Sequence, residues 1–160
     1  MDTLILDLSV AGIQGECAIP GYEGMVDLLS YEHGVATQIT GDQSNTKRTS
    51  GKPNHQDFTV TKYQDLASCA LINSCNQSKN MLTVKIFAGQ MDAGKFTPQK
   101  IFTLTNAIIS SVSVGGGGGG KAQETVTFNY TAISCTQVNP APLEKQNSTP
   151  AAWSPPSPQR

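Results

Sequence analysis

The segment Ser110–Tyr130, SSVSVGGGGGGKAQETVTFNY, places six consecutive glycines between two β-like runs. The run before them is Gln99–Val114 and the run after them is Gln123–Val138. Glycine imposes no backbone preference and is entropically expensive to order, whereas a tight hairpin needs only two turn residues. The glycines therefore predict a long, flexible connection between two strands.

The same glycines also have the spacing of a phosphate-binding loop, because Gly115, Gly120 and Lys121 match G-x4-G-K. That motif next requires Ser or Thr to hold magnesium, and a helix whose N-terminus receives the phosphate. Here the next residue is Ala122, and Glu124–Tyr130 alternates as a strand does, with Val, Phe and Tyr on one face. We therefore predict a β–β loop and no nucleotide or other cofactor.

Alternation with period two, together with Val, Ile, Thr, Phe and Tyr enrichment, predicts a mainly β domain. The predicted strands are Thr3–Val10, Ile13–Ala18, Val26–Ile39, His55–Thr61, Leu82–Ala88, Gln99–Val114 and Gln123–Val138. One helix is predicted from Leu66 to Asn76, capped by Asp65 or Ser68 and packed on a sheet as the plug of a barrel end, because so short a helix is marginal alone. The fold class is a single-domain β-barrel or two packed antiparallel sheets, with one short α-helix.

Two segments are predicted to lie outside the core. Gln38–Asn54 is a polar stretch carrying Lys47, Arg48 and Lys52, and it is expected to form a long loop. The tail Asn139–Arg160 contains six of the nine prolines and the single Trp153, which predicts disorder. The domain division is therefore 1–138 for the β domain and 139–160 for the tail.

Composition excludes several classes of function. The net charge of −1 gives no general attraction to nucleic acid or anionic lipid, and no apolar stretch approaches the roughly 20 residues of a membrane span. Met1-Asp2-Thr3 begins with an acid where a signal peptide carries positive charge. Synthesis is therefore expected in the cytoplasm, and any export would use a route that accepts the folded protein.

The residues that usually carry chemistry show no productive pattern. Cys17, Cys69, Cys75 and Cys135 form neither a CxxC pair nor a zinc spacing, so free and mostly buried thiols are expected. A disulfide between Cys69 and Cys75 is possible only if the segment between them is not a regular helix. The two histidines, at positions 33 and 55, lie in unrelated sequence contexts. We predict no catalytic residue and no metal site.

Three segments in order resemble a known family. Phe58–Asp65, Ser110–Gly116 and Glu124–Tyr130 are similar, in order and spacing, to the haemolysin-coregulated protein (Hcp) family, the tube proteins of bacterial type VI secretion systems. The strand Leu4–Val10 and the pair Gly15-Glu16 also fit. The resemblance covers roughly residues 2–138. The segment Ser30–Gly34 departs from the aromatic-rich family pattern, and the tail after Val138 matches nothing in it.

This resemblance implies a structural, secreted subunit. Members form hexameric rings that stack into a hollow tube, which a contracting sheath expels together with a spike and effector proteins in the lumen. It also implies that the polar loop, with Lys47, Arg48 and Lys52, reaches a neighbouring subunit or ring. The glycine loop, with Gly116, Gly117 and Gly118, would lie at a barrel rim where another copy makes contact.

Two other classes of function fit the residues less well. A free-standing β-sandwich that binds carbohydrate or protein would explain the alternation and the polar loops, but such modules usually expose aromatic side chains, and aromatics make up only 6% of this chain. An enzyme would need a nucleophile with its base, an acidic pair or a metal cluster, and none is visible. The long runs favour assembly: at about 3.3 Å per residue each could span about 50 Å, so it must bend around a barrel or project beyond it.

Overall fold

The computed structural model describes residues 2–40, 49–138 and 151–153, and these residues are mainly β. The strands are β1 (Asp2–Asp7), β2 (Val26–Leu28), β3 (Ser30–Glu32), β4 (Val35–Thr40), β5 (Thr49–His55), β6 (Phe58–Tyr63), β7 (Thr83–Asp92), β8 (Lys95–Thr105), β9 (Ile108–Gly115), β10 (Gln123–Asn129), β11 (Ala132–Gln137) and β12 (Ala151–Trp153). One α-helix, α1 (Ser68–Asn76), and one 3-10 turn, Ser9–Ala11, complete the described elements. The predicted fold class is confirmed as two packed antiparallel sheets with one short helix.

The strands form two packed sheets and a separate hairpin. The larger sheet has the order β12-β11-β8-β7-β1-β2 and the smaller one the order β3-β6-β10-β9, while β4 and β5 pair only with each other. Every described strand pair is antiparallel. The part of the chain that the structure describes closes no continuous barrel, because no ladder joins the two sheets.

The two long runs predicted as single strands are each broken where the chain changes sheet. Gln99–Val114 divides between β8 and β9 at residues 106–107, and Gln123–Val138 divides between β10 and β11 at residues 130–131. Asn106 adopts a φ of 52° at the first crossing, and the Thr131 amide donates to the Thr105 carbonyl at 3.0 Å to join the two crossings. The alternation of the sequence changes phase at Ala107–Ile109 and at Ala132–Cys135, which predicts bulges. These positions instead follow the sheet crossings, and the irregularity between β9 and β10 lies between Thr127 and Phe128.

Other strand boundaries also needed correction. Ile13–Ala18 is a loop, held by amide-to-carbonyl bonds from Gly15 to Gly24 at 2.7 Å and from Cys17 to Met25 at 2.9 Å. The run Val26–Ile39 is three strands, β2, β3 and β4. Alternation alone cannot see these breaks, because a loop that packs on a sheet face also buries alternate side chains.

The hairpin of β7 and β8 turns within two residues that sequence reasoning left outside the strands. Ala93 and Gly94 both have positive φ, at 50° and 78°, between the paired Asp92 and Lys95. Two successive positive values are typical of the type I′ turn that matches the twist of the flanking strands. A register shift follows at Gly89, where an added Cβ would run into the Thr97 carbonyl oxygen.

The core lies between the two sheets and contains side chains from both. Its fully buried members include Phe58, Val60, Leu71, Val126 and Phe128. A second, smaller cluster on the outer face of the larger sheet contains Ile5, Cys17 and Phe96, covered by the loop that follows the 3-10 turn. The larger sheet is therefore buried on parts of both faces.

Helix α1 begins two residues after its predicted start. The predicted cap residues Asp65 and Ser68 fasten the turn that leads into it, while the N-cap residue itself is Ala67, which makes no side-chain cap. The Asp65 carboxylate accepts from the Ala67 amide at 3.0 Å, and the Ser68 hydroxyl accepts from the Asp65 amide at 2.9 Å. The helix contacts β9 and buries Ser68, Leu71 and Ser74, while Leu66 before it is exposed. The prediction that it packs on a sheet is confirmed.

All four cysteines are free, as expected. Only Cys17 is buried, so the expectation of mostly buried thiols is wrong. Cys69 and Cys75 both lie within the regular helix α1, the condition under which a bridge between them was not expected. Burial raises the pKa of the Cys17 thiol, and the nearby carboxylates of Asp27 and Glu23 act in the same direction.

The C-terminal tail contributes one short strand. Ala151–Trp153 pairs with Ile133–Cys135 at the edge of the larger sheet, so the prediction of disorder is wrong for these three residues. Edge positions tolerate a neighbouring proline-rich chain because one side of the strand needs no partner. Residues 139–150 and 154–160 lie outside the described part, and the division at residue 138 stays a prediction.

Candidate functional site

The polar stretch expected to be a loop is a β-hairpin arm, formed by β4 and β5. Its register runs from Val35 opposite His55 to Thr40 opposite Thr49, with an irregularity between Thr37 and Ile39. Val35 is 54% exposed. In the part of the chain that the structure describes, the arm pairs with no other strand. The arm is therefore a hairpin separate from both sheets in the described part of the chain.

The arm continues a strand pair of the smaller sheet. β3 lies beside β6, with Ser30 opposite Thr61, and leads through residues 33–34 into β4. β5 leads through residues 56–57 into β6, and the Gln56 amide donates to the Gly34 carbonyl at 2.8 Å across the junction. The arm thus extends the β3–β6 ladder beyond the sheets.

A cluster of rings and hydrogen bonds fixes the base of this arm. The His33 ring stacks on His55 at 6.0 Å and on Phe58 at 5.6 Å between centroids. Its Nε2 lies 2.7 Å from the Tyr130 hydroxyl, which donates to the Gln56 carbonyl at 2.7 Å. Partial burial lowers the pKa of His33, and the neighbouring His55 lowers it further. The two histidines, which lie in unrelated sequence contexts, are thus brought together by the pairing of β4 with β5.

The glycine loop connects β9 to β10 and lies near Tyr63, at the end of β6 that is away from the arm. Gly115 opposite Gln123 is the last pair of β9 and β10, and the loop is tied back by the Gln64 amide, which donates to the Ala122 carbonyl at 2.9 Å. A cleft of about 710 Å³ lies between the loop and the segment after β6, lined by Glu16, Gln64, Asp65, Leu66, Gly116, Gly117, Gly120, Lys121 and Ala122. The strand predicted after the glycines is present as β10, in the place where a phosphate loop needs a helix.

The conformation of the glycine run makes little use of glycine. None of Gly115–Gly120 has a φ between +20° and +160°. A Cβ built on Gly117, Gly118 or Gly119 would meet nothing within 4 Å, while one on Gly116 would approach the Ala122 Cβ at 3.1 Å. The folded single chain therefore does not require glycine at these three open positions.

An ion-pair network lies buried beside this loop. Lys62 is 0% exposed and Glu124 is 2% exposed, and Nζ and Oε2 are 2.7 Å apart. Asp65 lies 2.9 Å from the same ammonium group, and the Ser68 hydroxyl donates to Glu124 Oε2 at 2.9 Å. The network joins β6, β10 and the start of α1. Lys62 and Glu124 are direct cross-strand partners.

Sequence reasoning missed this network although a signal was present. Phe58 and Val60 point into the core, so the period-two pattern places Lys62 on the same buried face. Likewise Val126 and Phe128 place Glu124 inward. A charged residue on a buried face is almost always paired, and two such positions on neighbouring strands would have indicated the ion pair.

The network does not form a catalytic pair. Lys62 Nζ donates to the Ser68 hydroxyl at 3.3 Å, a spacing that a serine–lysine dyad shares. The single proton of the Ser68 hydroxyl is directed to Glu124 Oε2 at 2.9 Å, so in this arrangement it does not point to the Lys62 amine. Among the described residues no group of three or more His, Cys, Asp or Glu is placed to hold a metal ion.

The predicted contact residues fall into two separate regions. Gly116, Gly117 and Gly118 lie in the glycine loop. Lys52 lies in β5 of the arm, and only the backbone of this residue is described. Lys47 and Arg48 lie outside the described residues. The arm adjoins Phe58 and the glycine loop adjoins Tyr63, so the two regions lie at opposite ends of β6. No helix in the described part is long and apolar enough to cross a membrane.

These features define a class of protein before any comparison is made. Two packed antiparallel sheets carry an exposed arm at one end and an open loop at the other, and these two regions are the candidate contact surfaces. The family model for "Type VI secretion system effector, Hcp" matches residues 8–137. The chain belongs to the Hcp family.

Individual relatives agree with this assignment. Protein hcp1 of Pseudomonas aeruginosa is 30% identical over 83 residues, and the matched stretch spans about half of each chain, 51% of both. A solved structure of a type six secretion system protein superposes with a TM-score of 0.85 at 23% identity, covering 96% of each chain. The crystal structure of Hcp1 from Salmonella typhimurium gives 0.75 at 18% identity, covering 96% of this chain and 94% of that one. These structures share the fold.

Proposed function

We propose that this chain is a subunit of the inner tube of a type VI secretion system. In this proposal subunits close into hexameric rings, rings stack, and sheath contraction expels the tube with a spike and with effector proteins in its lumen. The observation that carries the proposal is the placement of two exposed regions, the arm and the glycine loop, at opposite ends of β6 in a chain that belongs to the Hcp family.

Opposite placement matters for the kind of assembly. A contact is heterologous when one surface of a subunit meets a different surface of the next subunit. Such contacts build closed rings or open stacks, according to the rotation between subunits. The arm presents exposed backbone and side chains. The glycine loop borders an open cleft, and its backbone is bare at Gly117, Gly118 and Gly119. Lys47, Arg48 and Lys52 on the arm segment, with Gly116, Gly117 and Gly118, are the proposed contact residues.

The competing function, a free-standing binding module for carbohydrate or protein, has less support. Among the large hydrophobic side chains that are exposed in the described part, Tyr63 at 42% is the one aromatic. The other rings of the arm base and the core pack on one another. A carbohydrate platform needs accessible rings, so the surface favours contacts between subunits. The absence of enzymatic activity stays a prediction.

Light scattering with electron microscopy tests the proposal. The purified chain, 16.9 kDa, is expected at about six times its monomer mass at micromolar concentration and as uniform rings on grids. The decisive variant replaces residues 36–54 by a short glycine–serine turn. It should keep the circular dichroism of a β protein and lose ring stacking, because the side chains that are described within residues 36–54 are exposed.

A matched control removes residues 154–160, a smaller change far along the sequence, and should stack as wild type does. A wild-type chain that is monomeric across the concentration range, with featureless particles, contradicts the tube and favours the binding module. Unchanged stacking of the arm variant contradicts the proposed role of the arm alone. An unfolded arm variant would show that the arm belongs to the core.

A further inference from the structure

The base of the arm holds a chain of two hydrogen bonds, and its geometry fixes which group donates in each. The Tyr130 hydroxyl oxygen lies 2.7 Å from the Gln56 carbonyl oxygen and 2.7 Å from His33 Nε2. A carbonyl only accepts, so the single hydroxyl proton of Tyr130 points to Gln56. His33 Nε2 must then carry the hydrogen that Tyr130 accepts. The His33 imidazole therefore carries a hydrogen on Nε2, and the neutral form takes its next proton at Nδ1.

This chain of two hydrogen bonds joins three segments. His33 lies between β3 and β4, Gln56 lies between β5 and β6, and Tyr130 lies where the chain crosses from β10 to β11. The Gln56 amide also donates to the Gly34 carbonyl at 2.8 Å. Both strands of the arm are therefore fastened to the body at the same point, through one imidazole and one phenol.

The surroundings of His33 favour its neutral form. Its ring stacks on Phe58 and His55 and lies 6.4 Å from the Phe102 ring. A second proton would place a full charge on a partly buried ring among these neighbours. Partial burial, and then His55, lower the pKa of His33.

The other ionisable groups near His33 are directed to other partners or are exposed. Asp57 already accepts from Asn129 at 3.0 Å and from Ser110 at 3.2 Å. Lys100 lies 5.3 Å from the centroid of the Phe102 ring and adds positive charge on that side. Glu32, next to His33 in β3, is exposed to solvent. Protonated His33 is therefore better solvated outside the cluster than within it.

We propose that the His33–Tyr130–Gln56 link is a proton-sensitive clasp, which holds the β4–β5 arm to the body at neutral pH and releases it on acidification. Release means that the protonated imidazole turns out to water, which breaks its bond to Tyr130 and loosens the junction between Gly34 and Gln56. The clasp acts within a single chain, so the proposal holds whether or not rings form.

Amide hydrogen exchange of the full chain, corrected for the intrinsic pH dependence of exchange, tests the clasp. The opening equilibrium of the arm amides and of Gln56 should rise as the pH falls below about 6.5, by up to about tenfold per pH unit. The amides of β7, in the centre of the larger sheet, should keep their protection. Equal behaviour of arm and β7 between pH 7.5 and 5.5 overturns the proposal.

Two variants identify the titrating group. His33→Gln keeps a side-chain N–H for Tyr130 but cannot titrate, so the arm should stay protected at pH 5.5. Tyr130→Phe removes the link, so the arm should exchange faster at both pH values, with a smaller dependence on pH. A pH dependence in His33→Gln equal to that of wild type overturns the assignment to His33, and the matched variant His55→Gln then shows whether the second histidine carries it.

Discussion

The two ends of the β6–β10 pair are closed by opposite kinds of chemistry. At the glycine-loop end, Lys62 and Glu124 form a buried ion pair that two further side chains complete. At the arm end, stacked rings and a chain of two hydrogen bonds join the segments instead. A buried charge pair fails when either partner is removed, whereas a chain of hydrogen bonds built on histidine and tyrosine responds to protons. One end of the β6–β10 pair is therefore stabilised by a buried ion pair, and the stability of the other end is proposed to depend on pH.

The comparison also explains where each candidate surface can move. The glycine loop is tied by one backbone bond beside a network that joins β6, β10 and α1, so its motion is confined to the glycines themselves. The arm is joined to the body through the junction at Gly34 and Gln56, so it can move as a unit. Contact by the loop depends on backbone freedom, and contact by the arm depends on its base.

The largest expected effect breaks the charged end. Glu124→Ala leaves the buried ammonium of Lys62 without its main partner, and removing one partner of a buried pair costs about 3–5 kcal/mol. A domain of this size should then melt roughly 10 °C lower, which thermal unfolding followed by circular dichroism measures.

Two controls make that result specific to the ion pair. Gln123→Ala, at the exposed neighbouring position of β10, should change the melting temperature by less than about 2 °C. The double variant Lys62→Met with Glu124→Leu should be more stable than Glu124→Ala, because it leaves no buried unpaired ammonium. A melting temperature of Glu124→Ala close to wild type would show that the pair is not buried in solution.

A smaller effect is expected at alkaline pH, where the ionisation of Tyr130 should change the stability of the arm end alone. Burial, and then Asp57, raise the pKa of Tyr130 from 10.0 to about 12. The folded chain then keeps a proton that the unfolded chain loses, so this contribution to stability is complete below pH 10 and disappears as the pH rises towards 12. In wild type, tyrosinate absorbance should show a late step near pH 12.

Tyr130→Phe provides the matched comparison for that step. The late phase should be missing from its titration, and its urea midpoint should change less between pH 9.5 and 11.5 than that of wild type. A late phase that survives the substitution would assign it to another tyrosine and would remove the ionisation contrast between the two ends.

The smallest effect concerns the glycine loop. Changing Gly117, Gly118 and Gly119 together to Ala should raise the stability of the folded chain slightly, by about 0.4–1 kcal/mol per site at most, because these positions need no positive φ and have open space. Urea unfolding measures this gain. Gly89→Ala is the contrast, because its Cβ would meet the Thr97 carbonyl, and it should be clearly destabilised.

The same triple variant links stability to assembly. If ring stacking observed by electron microscopy falls while chain stability rises, the glycines are kept for close approach of another copy or for mobility. Stacking equal to wild type would reduce the run to a passive linker. A loss of chain stability would instead show that the loop takes a conformation that only glycine allows.

Several features could be predicted from sequence because they depend on local chemistry. Alternation predicted β10 after the glycines, and the Asp65 and Ser68 side chains predicted the start of α1 to within two residues. Three ordered segments predicted the family. The position of the arm was also visible as a polar stretch, although its two ends are paired strands and only residues 41–48 between them lie outside the described part.

The sequence by itself determined the mainly β class, the place of the helix and the glycine connection, because period-two burial, capping and backbone freedom act over a few residues. Only the tertiary structure decided where the long runs cross between sheets, that Lys62 meets Glu124, and that His33 meets Tyr130 from 97 positions away. These contacts depend on which strands become neighbours, and neighbour choice is set by burial of the whole core, which no local pattern contains.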